Sequence, residues 1–345
     1  MLQKTIPHLA NKNVLVIGDI ILDEYLLGQA TRLSREAPIP VLEFQERRTV
    51  PGGAANPAMN IVALGSMASI VGIAGDDESG KELVKWLNDK NVDSNGIIIT
   101  KGRCTTRKTR IVSQNSVRFP QQVARLDRID RRPLNPAIEP TIIQQIGLES
   151  VGIDAILVSD YRNGMLTPNV IQAILKISNE LGNLLVVDSQ GNLDKYHGYH
   201  IIRVNDRDLS RYLNRPLENE VDFERACVEL LEALEAKAIV IGRGAEGVSI
   251  QGQSTPYHHF PAINPSEVFD VTGAGDTSVA VLTLGMIVGL DVAESALLAN
   301  HAASLVVRKL GNATVTLDEL ACAVKKPLAH RHDNCYAPME PTRPI

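Results

Sequence analysis

Cysteine is scarce, with four in 345 residues at positions 104, 227, 322 and 335. No two of them form a CxxC pair, so neither a zinc knuckle nor a disulfide framework is indicated, and reduced thiols in a cytoplasmic setting fit best. Apolar runs are broken by polar residues well before membrane-spanning length, and the N-terminal MLQKTIPHLANKN lacks the apolar centre of a secretion signal. A cytoplasmic protein with no membrane partner is therefore expected. Positive charge is also short: 35 basic against 40 acidic residues give a net charge of -5. That excludes a general nucleic-acid binder, whose affinity comes from a basic face that neutralises phosphates. There is no internal repeat and no low-complexity block.

What is present has the balance of a globular protein, 44% apolar and 22% charged, in a chain long enough for one large α/β domain or two smaller ones. Strand-length apolar runs at Val14 to Gly18, Ala155 to Ser159, Leu184 to Asp188, His200 to Val204 and Ala238 to Ile241 alternate with helix-period segments such as Pro168 to Leu181 and Val221 to Ala236. This βαβ rhythm predicts an α/β fold with a doubly wound, mainly parallel sheet flanked by helices. Two stretches, about 20–50 and 97–130, alternate instead with period two and are rich in charge. They are expected to pair as a small antiparallel sheet, a β-sheet lid over a site at the edge of the main one. A domain over 1–325 is followed by 326–345, a proline-containing polar segment read as a flexible tail, in which His330, His332 and Cys335 have no ordered backbone to make them a metal site.

Two glycine-rich strings imitate nucleotide-binding loops. GDDESGKE, from Gly75 to Glu82, fails as a phosphate loop because Glu82 stands where a hydroxyl should hold Mg²⁺ and Asp76, Asp77 and Glu78 would repel a triphosphate. It is expected to be a turn and an acidic first helical turn. GRGAEG, from Gly242 to Gly247, follows a strand, but Val248-Ser-Ile continues as another strand, so a hairpin turn is expected rather than a dinucleotide site.

The string DVTGAGDTSVA, Asp270 to Ala280, has different chemistry. Gly273, Ala274 and Gly275 form a turn into an apolar helix whose first amides lack internal partners and carry the positive end of its dipole. An anion reaching that backbone meets a cluster of donors. Asp276, one residue on, is expected to stay ionised in that field, either as a base for an attacking hydroxyl or as a helix cap. In the N-terminal third, Gly52-Gly53-Ala54-Ala55-Asn56 precedes a helix and Asp23 lies shortly after the first strand, a set able to hold a polyol.

PGGAAN and DVTGAGDT together resemble the signatures of the ribokinase-like (PfkB) family of ATP-dependent sugar kinases, and the likeness runs to about Leu320. VIGDIILDEY, RLSREAPIPVLE, PGGAANPAMNIVALG, KTRIVSQN, VSDYRNGMLTP and VRKLGNATVT are similar, in order, to the branch that phosphorylates the anomeric hydroxyl of D-glycero-D-manno-heptose 7-phosphate. By motif, the resemblance implies that Asp276 is the catalytic base and Gly273 to Gly275 the anion hole. Asp23, Gly52, Gly53 and Asn56 fall at sugar-binding positions. Asn205 and Asp208 fall at an ATP-phosphate and Mg²⁺ motif, Arg243 and Gly244 in the nucleotide loop, and Asn300 near the adenine. Asp270 and Thr272 match positions that help hold a monovalent cation such as K⁺. Lys108, Arg110 and Arg125 are assigned to the phosphate already on the substrate by charge alone.

The resemblance further implies ATP and Mg²⁺ as cofactors and a homodimer joined through the lids, whose open strand edges invite pairing. It implies a stand-alone kinase as well, since His197-Gly-Tyr-His200 is not the HxGH of the adenylyltransferase fused to it elsewhere. Two positions depart from the pattern. Gln190, in Asp188-Ser-Gln-Gly191, stands where that branch carries a lysine, and Asp208 stands where the family's NxxE motif has glutamate. A kinase for another sugar or nucleoside therefore remains an alternative, as does a catalytically idle relative that binds sugar or protein.

Overall fold

The computed structural model describes residues 2–115, 118–263, 270–309 and 311–325. The segment expected to be a tail, with His330, His332 and Cys335, lies outside the described residues. In chain order the first half contains α1 (Leu2–Thr5), β1 (Asn13–Gly18), β2 (Ile20–Leu33), β3 (Pro40–Gly53), α2 (Ala55–Ala63), β4 (Met67–Gly75), α3 (Glu78–Asp89), β5 (Ile97–Thr100), β6 (Thr106–Asn115), β7 (Arg118–Arg128) and α4 (Glu139–Glu149). There follow β8 (Ala155–Asp160), α5 (Pro168–Leu181), β9 (Leu184–Ser189), β10 (Ile201–Asn205), α6 (Asp206–Leu213), α7 (Glu220–Leu234), β11 (Ala238–Gly242), β12 (Val248–Gly252) and β13 (Thr255–Phe260). The described chain closes with α8 (Ala274–Ile287), α9 (Val292–Val306) and α10 (Leu317–Lys325).

The apolar runs are strands because both of their faces are buried. In β1, Val14 and Val16 join one core while Leu15 and Ile17 join the other. The same split recurs at Leu157 against Ile156 and Val158, and at Val186 against Leu185 and Val187. Each such side chain, fully buried, contributes ~1.5–3 kcal/mol of transfer free energy. The nine strands lie in the order β13-β12-β11-β10-β9-β8-β1-β4-β5. All neighbours are parallel except β11 with β12 and β12 with β13. From β1 the sheet grows through β4 on one side and through β8 on the other, so the topological switch lies at β1, where α/β sheets open a crevice beyond the carboxyl ends of their strands.

The small sheet has the order β3-β2-β6-β7. It differs from expectation in two ways. Residues 97–100 are the edge strand β5 of the main sheet, because Ile97 and Ile98 pack on opposite cores. And β2 pairs with β6 in parallel, so the lid is mixed rather than antiparallel; the chain has crossed β4, α3 and β5 before β6 enters it.

Local signals hold where capping governs them. Asp77 caps α3 by accepting from the Gly80 amide, which makes GDDESGKE a turn and a helix start. Thr167 caps α5 with Pro168 in its first turn. GRGAEG is the tight connection between antiparallel β11 and β12, with φ of 55° at Gly244 and 106° at Gly247. Cys104 and Cys227 are free. Among the described residues no helix is long and apolar enough to cross a membrane.

Candidate functional site

α8 is apolar around its whole circumference, as a helix buried on every side must be, and Asp276 is its only ionisable side chain. Gly273 precedes it with φ 80°, a conformation that only glycine adopts cheaply, and turns the chain so that Asp276 faces the crevice. Its carboxylate is 5% exposed and accepts hydrogen bonds from Asn56 Nδ2 (2.9 Å) and the Tyr161 hydroxyl (2.7 Å). Asn56 is fixed in turn: Asn60 Nδ2 donates to its backbone and side-chain oxygens (3.1 Å each), and Thr277 Oγ1 donates to Asn60 Oδ1 (3.1 Å). Burial pushes the Asp276 carboxyl up to about 7, with Asp188 adding to the rise, while the two hydrogen bonds and Arg203 act against it. The expectation that the helix dipole keeps Asp276 fully ionised is thus corrected, because desolvation of a buried carboxylate outweighs a half-charge at a helix end.

Glycines clear the ground around this group. A Cβ on Gly52 would stand 2.1 Å from Asp23 Oδ2, one on Gly53 2.2 Å from the Asp19 carbonyl, and one on Gly273 2.5 Å from Asn56 Nδ2. The PGGAAN string therefore lets β3 pass directly over Asp23 and run into α2. Asp23 itself is buried, paired through Oδ1 with Arg110 Nη1 (2.5 Å) and through Oδ2 with Asn312 Nδ2 (2.6 Å). Asn312 also donates to the Pro51 carbonyl (3.0 Å), tying the end of the domain to the lid's root.

The lid places its cations on the same face. Lys108 is opposite Asp23 and Arg110 opposite Tyr25 in the β2–β6 register. Lys108 Nζ lies 5.0 Å from the centre of the Tyr161 ring, and its burial draws its pKa below the ordinary lysine value. Arg125 is opposite Arg110 across β6 and β7, but its guanidinium is engaged by Asp127 (2.8 and 2.9 Å). Asp23, Lys108, Arg110, Tyr161, Asn56 and Asp276 thus form one continuous polar surface between the lid and the carboxyl ends of β1 and β8.

The remaining residues singled out in the sequence border this surface or stand apart from it. Asn205, at the end of β10, caps α6 by accepting from the Asp208 amide (2.8 Å) and donates to Asp208 Oδ2 (2.6 Å), while Asp208 Oδ1 pairs with Arg211 (2.9 Å). The Arg243 side chain is locked by Glu220 (2.7 Å) and Glu246 (2.5 Å) and lies 3.9 Å from the centre of the Phe223 ring. Its loop can offer a ligand the backbone at Gly244 but not the guanidinium. Asn300 Nδ2 donates to the Pro261 carbonyl (2.8 Å). Asp270 accepts from the amides of Thr272 and Gly311 (2.9 Å each), a brace between the α8 turn and the loop carrying Asn312. Among the described residues no group of three or more His, Cys, Asp or Glu is arranged to hold a metal ion.

Three residues of this surface escape sequence reasoning: Tyr161, Asn312 and Arg203. Tyr161 lies in the quoted string VSDYRNGMLTP and follows the last residue of β8, at the strand end facing the crevice, but nothing in the string singles out its hydroxyl. Asn312 lies within the quoted string VRKLGNATVT, which marks the stretch but not the residue, and Arg203 has no local signal at all.

A buried carboxyl at the mouth of an apolar helix thus lies beside a cationic lid at the topological switch of the sheet. The profile described as pfkB family carbohydrate kinase matches residues 11–319. The chain belongs to that family. It is 37% identical over 324 residues to the bifunctional protein HldE of Geotalea uraniireducens and 38% identical over 314 residues to that of Geobacter metallireducens, covering 94% and 91% of this chain. The chain spans 64% and 63% of the length of these two relatives. Among solved structures, phosphofructokinase-2 from Escherichia coli in complex with potassium superposes with a TM-score of 0.73 at 20% identity, covering 91% of this chain and 98% of that one. Arabidopsis thaliana ribokinase complexed with ribose and ATP gives 0.71 at 19% identity, covering 92% and 100%. Both share the ribokinase-like fold.

Proposed function

We propose that the protein is an ATP- and Mg²⁺-dependent kinase that phosphorylates the anomeric hydroxyl of D-glycero-D-manno-heptose 7-phosphate, giving the 1,7-bisphosphate. The observation that carries this reading is Asp276, a buried carboxyl titrating near neutrality at the mouth of α8 and facing the cations of the lid. Asp276 takes the proton of the acceptor hydroxyl, and Asn56 and Tyr161 hold its oxygens in place. The first amides of α8, at Gly273, Ala274 and Gly275, stabilise the charge on the transferred group. Asp23, Gly52, Gly53 and Asn56 bind the sugar. Asn205 and Asp208 face the ATP phosphates and would hold Mg²⁺ through its water shell, which suits a site with a single carboxylate. Gly244, the backbone at Arg243 and Asn300 border the nucleotide, and Asp270 with Thr272 is the position for K⁺. The heptose assignment draws on the ordered strings from VIGDIILDEY to VRKLGNATVT and on the likeness to the HldE proteins.

Lys108, Arg110 and Arg125 recognise the phosphate already on the substrate. A charge-assisted hydrogen bond contributes ~1.5–3 kcal/mol, so Lys108→Met is expected to raise KM for heptose 7-phosphate by ~10- to 100-fold with kcat changed less than about threefold. Unphosphorylated heptose, compared in the same steady-state assay, should be insensitive; equal losses on both sugars would contradict the assignment. A kinase for a different sugar phosphate is the second reading, favoured by Gln190 and Asp208. Phe44 (69% exposed), Leu126 (67%) and Leu33 (70%) on the lid support a homodimer through that sheet. Sedimentation at micromolar concentration would reveal a monomer if this is wrong.

A further inference from the structure

Arg162, in the loop that leaves β8, has a backbone conformation suited to glycine. Its φ is 59°, a left-handed value that glycine adopts freely and a residue with a Cβ resists. Among the described residues five others that are not glycine share a positive φ; four are asparagines, and the fifth, Glu235, ends α7 as a left-handed cap. Arg162 caps no helix. The turn is imposed by the backbone around it: the amides of Tyr161 and Asn163 donate to Asp19 Oδ2 (3.1 and 2.9 Å) and that of Arg162 donates to Asp160 Oδ1 (2.9 Å), and both carboxylates are buried. Three consecutive amides are thus held whatever side chain the middle residue carries. Glycine would sit there with less strain, so what the arginine contributes lies in its guanidinium.

Arg162 is exposed, and among the described residues its guanidinium enters no ion pair. The carboxylates at the ends of β8 and β9 have cations of their own, Asp160 with Lys195 (2.7 Å) and Asp188 with Arg203 (2.5 Å). A Cβ on Gly191 would stand 3.7 Å from Arg162 Nη1, so the side chain reaches from the β8 loop to the β9 loop, beyond the carboxyl ends of both strands. Gln190 adds no charge there. The result is an uncompensated positive charge next to Tyr161, whose hydroxyl donates to Asp276 and whose ring centre lies 5.0 Å from Lys108 Nζ. A phosphate monoester brings about 1.5 to 2 negative charges at neutral pH. Of the three lid cations proposed to meet it, Arg110 is paired with Asp23 and Arg125 with Asp127, which leaves Lys108 a single charge to offer. The sugar side is favoured over the nucleotide because β8 adjoins β1, which leads into the lid, whereas the residues proposed to face ATP lie at β10 and β11.

We propose that Arg162 is a specificity-determining residue that binds the phosphate already on the acceptor sugar, gripping it from the body of the domain while Lys108 reaches it from the lid. The inference rests on the sugar-phosphate kinase reading above. It gives the strained turn after β8 a function: the buried carboxylates of Asp19 and Asp160 fix the backbone, and the fixed backbone aims a planar fork that matches a phosphate face.

The test uses the full chain with ATP, Mg²⁺ and heptose offered with and without its 7-phosphate. Arg162→Gly removes the charge and suits the left-handed turn, so the variant is expected to melt at or above the wild type while KM for heptose 7-phosphate rises ~10- to 100-fold. Its kcat, its KM for ATP and its rate on unphosphorylated heptose should each change less than about threefold. Arg162→Asn, with the residue that takes this φ elsewhere in the chain, should behave in the same way. Arg162→Lys should fall between these and the wild type, because charge remains but the fork is lost. Equal losses on both sugars, no loss on either, or a rise in KM for ATP in place of that for the sugar phosphate overturns the inference; if the wild type still prefers the phosphorylated sugar, the kinase reading stands. A wild type with no such preference overturns both.

Discussion

Asp276→Asn is expected to lower turnover by ~10²- to 10⁴-fold, the contribution of a positioned general base, with KM for both substrates little changed. Its effect on stability should run the other way. Burial raises the carboxyl to about 7 in the folded chain against about 3.9 for an ordinary aspartate, so above pH 7 the native state carries a charge that burial opposes by on the order of 4 kcal/mol. Asparagine is nearly isosteric and neutral. It can still accept from Asn56 while the Tyr161 hydroxyl rotates to accept its amide, so most of that opposition is removed. The variant should therefore melt above the wild type at pH 8 while being close to inactive. A helix-capping role for Asp276 predicts the reverse, a destabilised protein with turnover retained. Thermal unfolding and steady-state rates on one preparation distinguish the two.

The second large effect is on pH. With a base titrating at about 7, kcat/KM should rise with slope one up to neutrality and level off above it, and at pH 5 it should be ~100-fold below the plateau. Tyr161→Phe removes a hydrogen bond that favours the charged carboxylate, and the acid limb should move to higher pH. Stability follows the opposite course. Because the folded pKa of Asp276 is raised, the contribution of this group to native stability is fully present below its unfolded pKa and is lost as pH climbs from about 4 to about 7. Asp19, raised by burial to about 6, acts in the same direction, whereas Glu24, Glu82 and Asp77 are lowered and their contribution is lost only below their ordinary range. Between pH 5 and 8 the protein should gain activity as it loses stability. An acid limb near 4, with unfolding midpoints flat across that range, would mean that burial does not raise the Asp276 carboxyl.

How far the sequence carried the reading depended on distance along the chain. Strand identity in β1, β8 and β9 was legible because each alternates between two cores within a few residues. The helix behind DVTGAGDT was legible because α8 is apolar on all sides, and both imitation nucleotide loops were dismissed on their immediate neighbours. What was not legible lies in partners far apart. Tyr161 reaches Asp276 across 115 residues and Asn312 reaches Asp23 across 289. The parallel pairing of β2 with β6 likewise depends on the route taken by everything between them. The ionisation of Asp276 was misjudged for the same reason: its position at a helix start is local, but its burial is a property of the whole assembled crevice. Arg243 was singled out from its loop, and only the fold brings Glu220 and Phe223 against its side chain.

Asp276 and the lid are proposed to act together on a phosphorylated sugar. The most direct measurement is phosphorus NMR of the products formed from ATP, Mg²⁺ and a set of sugars offered with and without a terminal phosphate. A new anomeric phosphate signal is expected from heptose 7-phosphate, formed faster than any product from the unphosphorylated sugars and absent with Asp276→Asn. Phosphorylation at a non-anomeric position, or a preference for the unphosphorylated sugar, would contradict it.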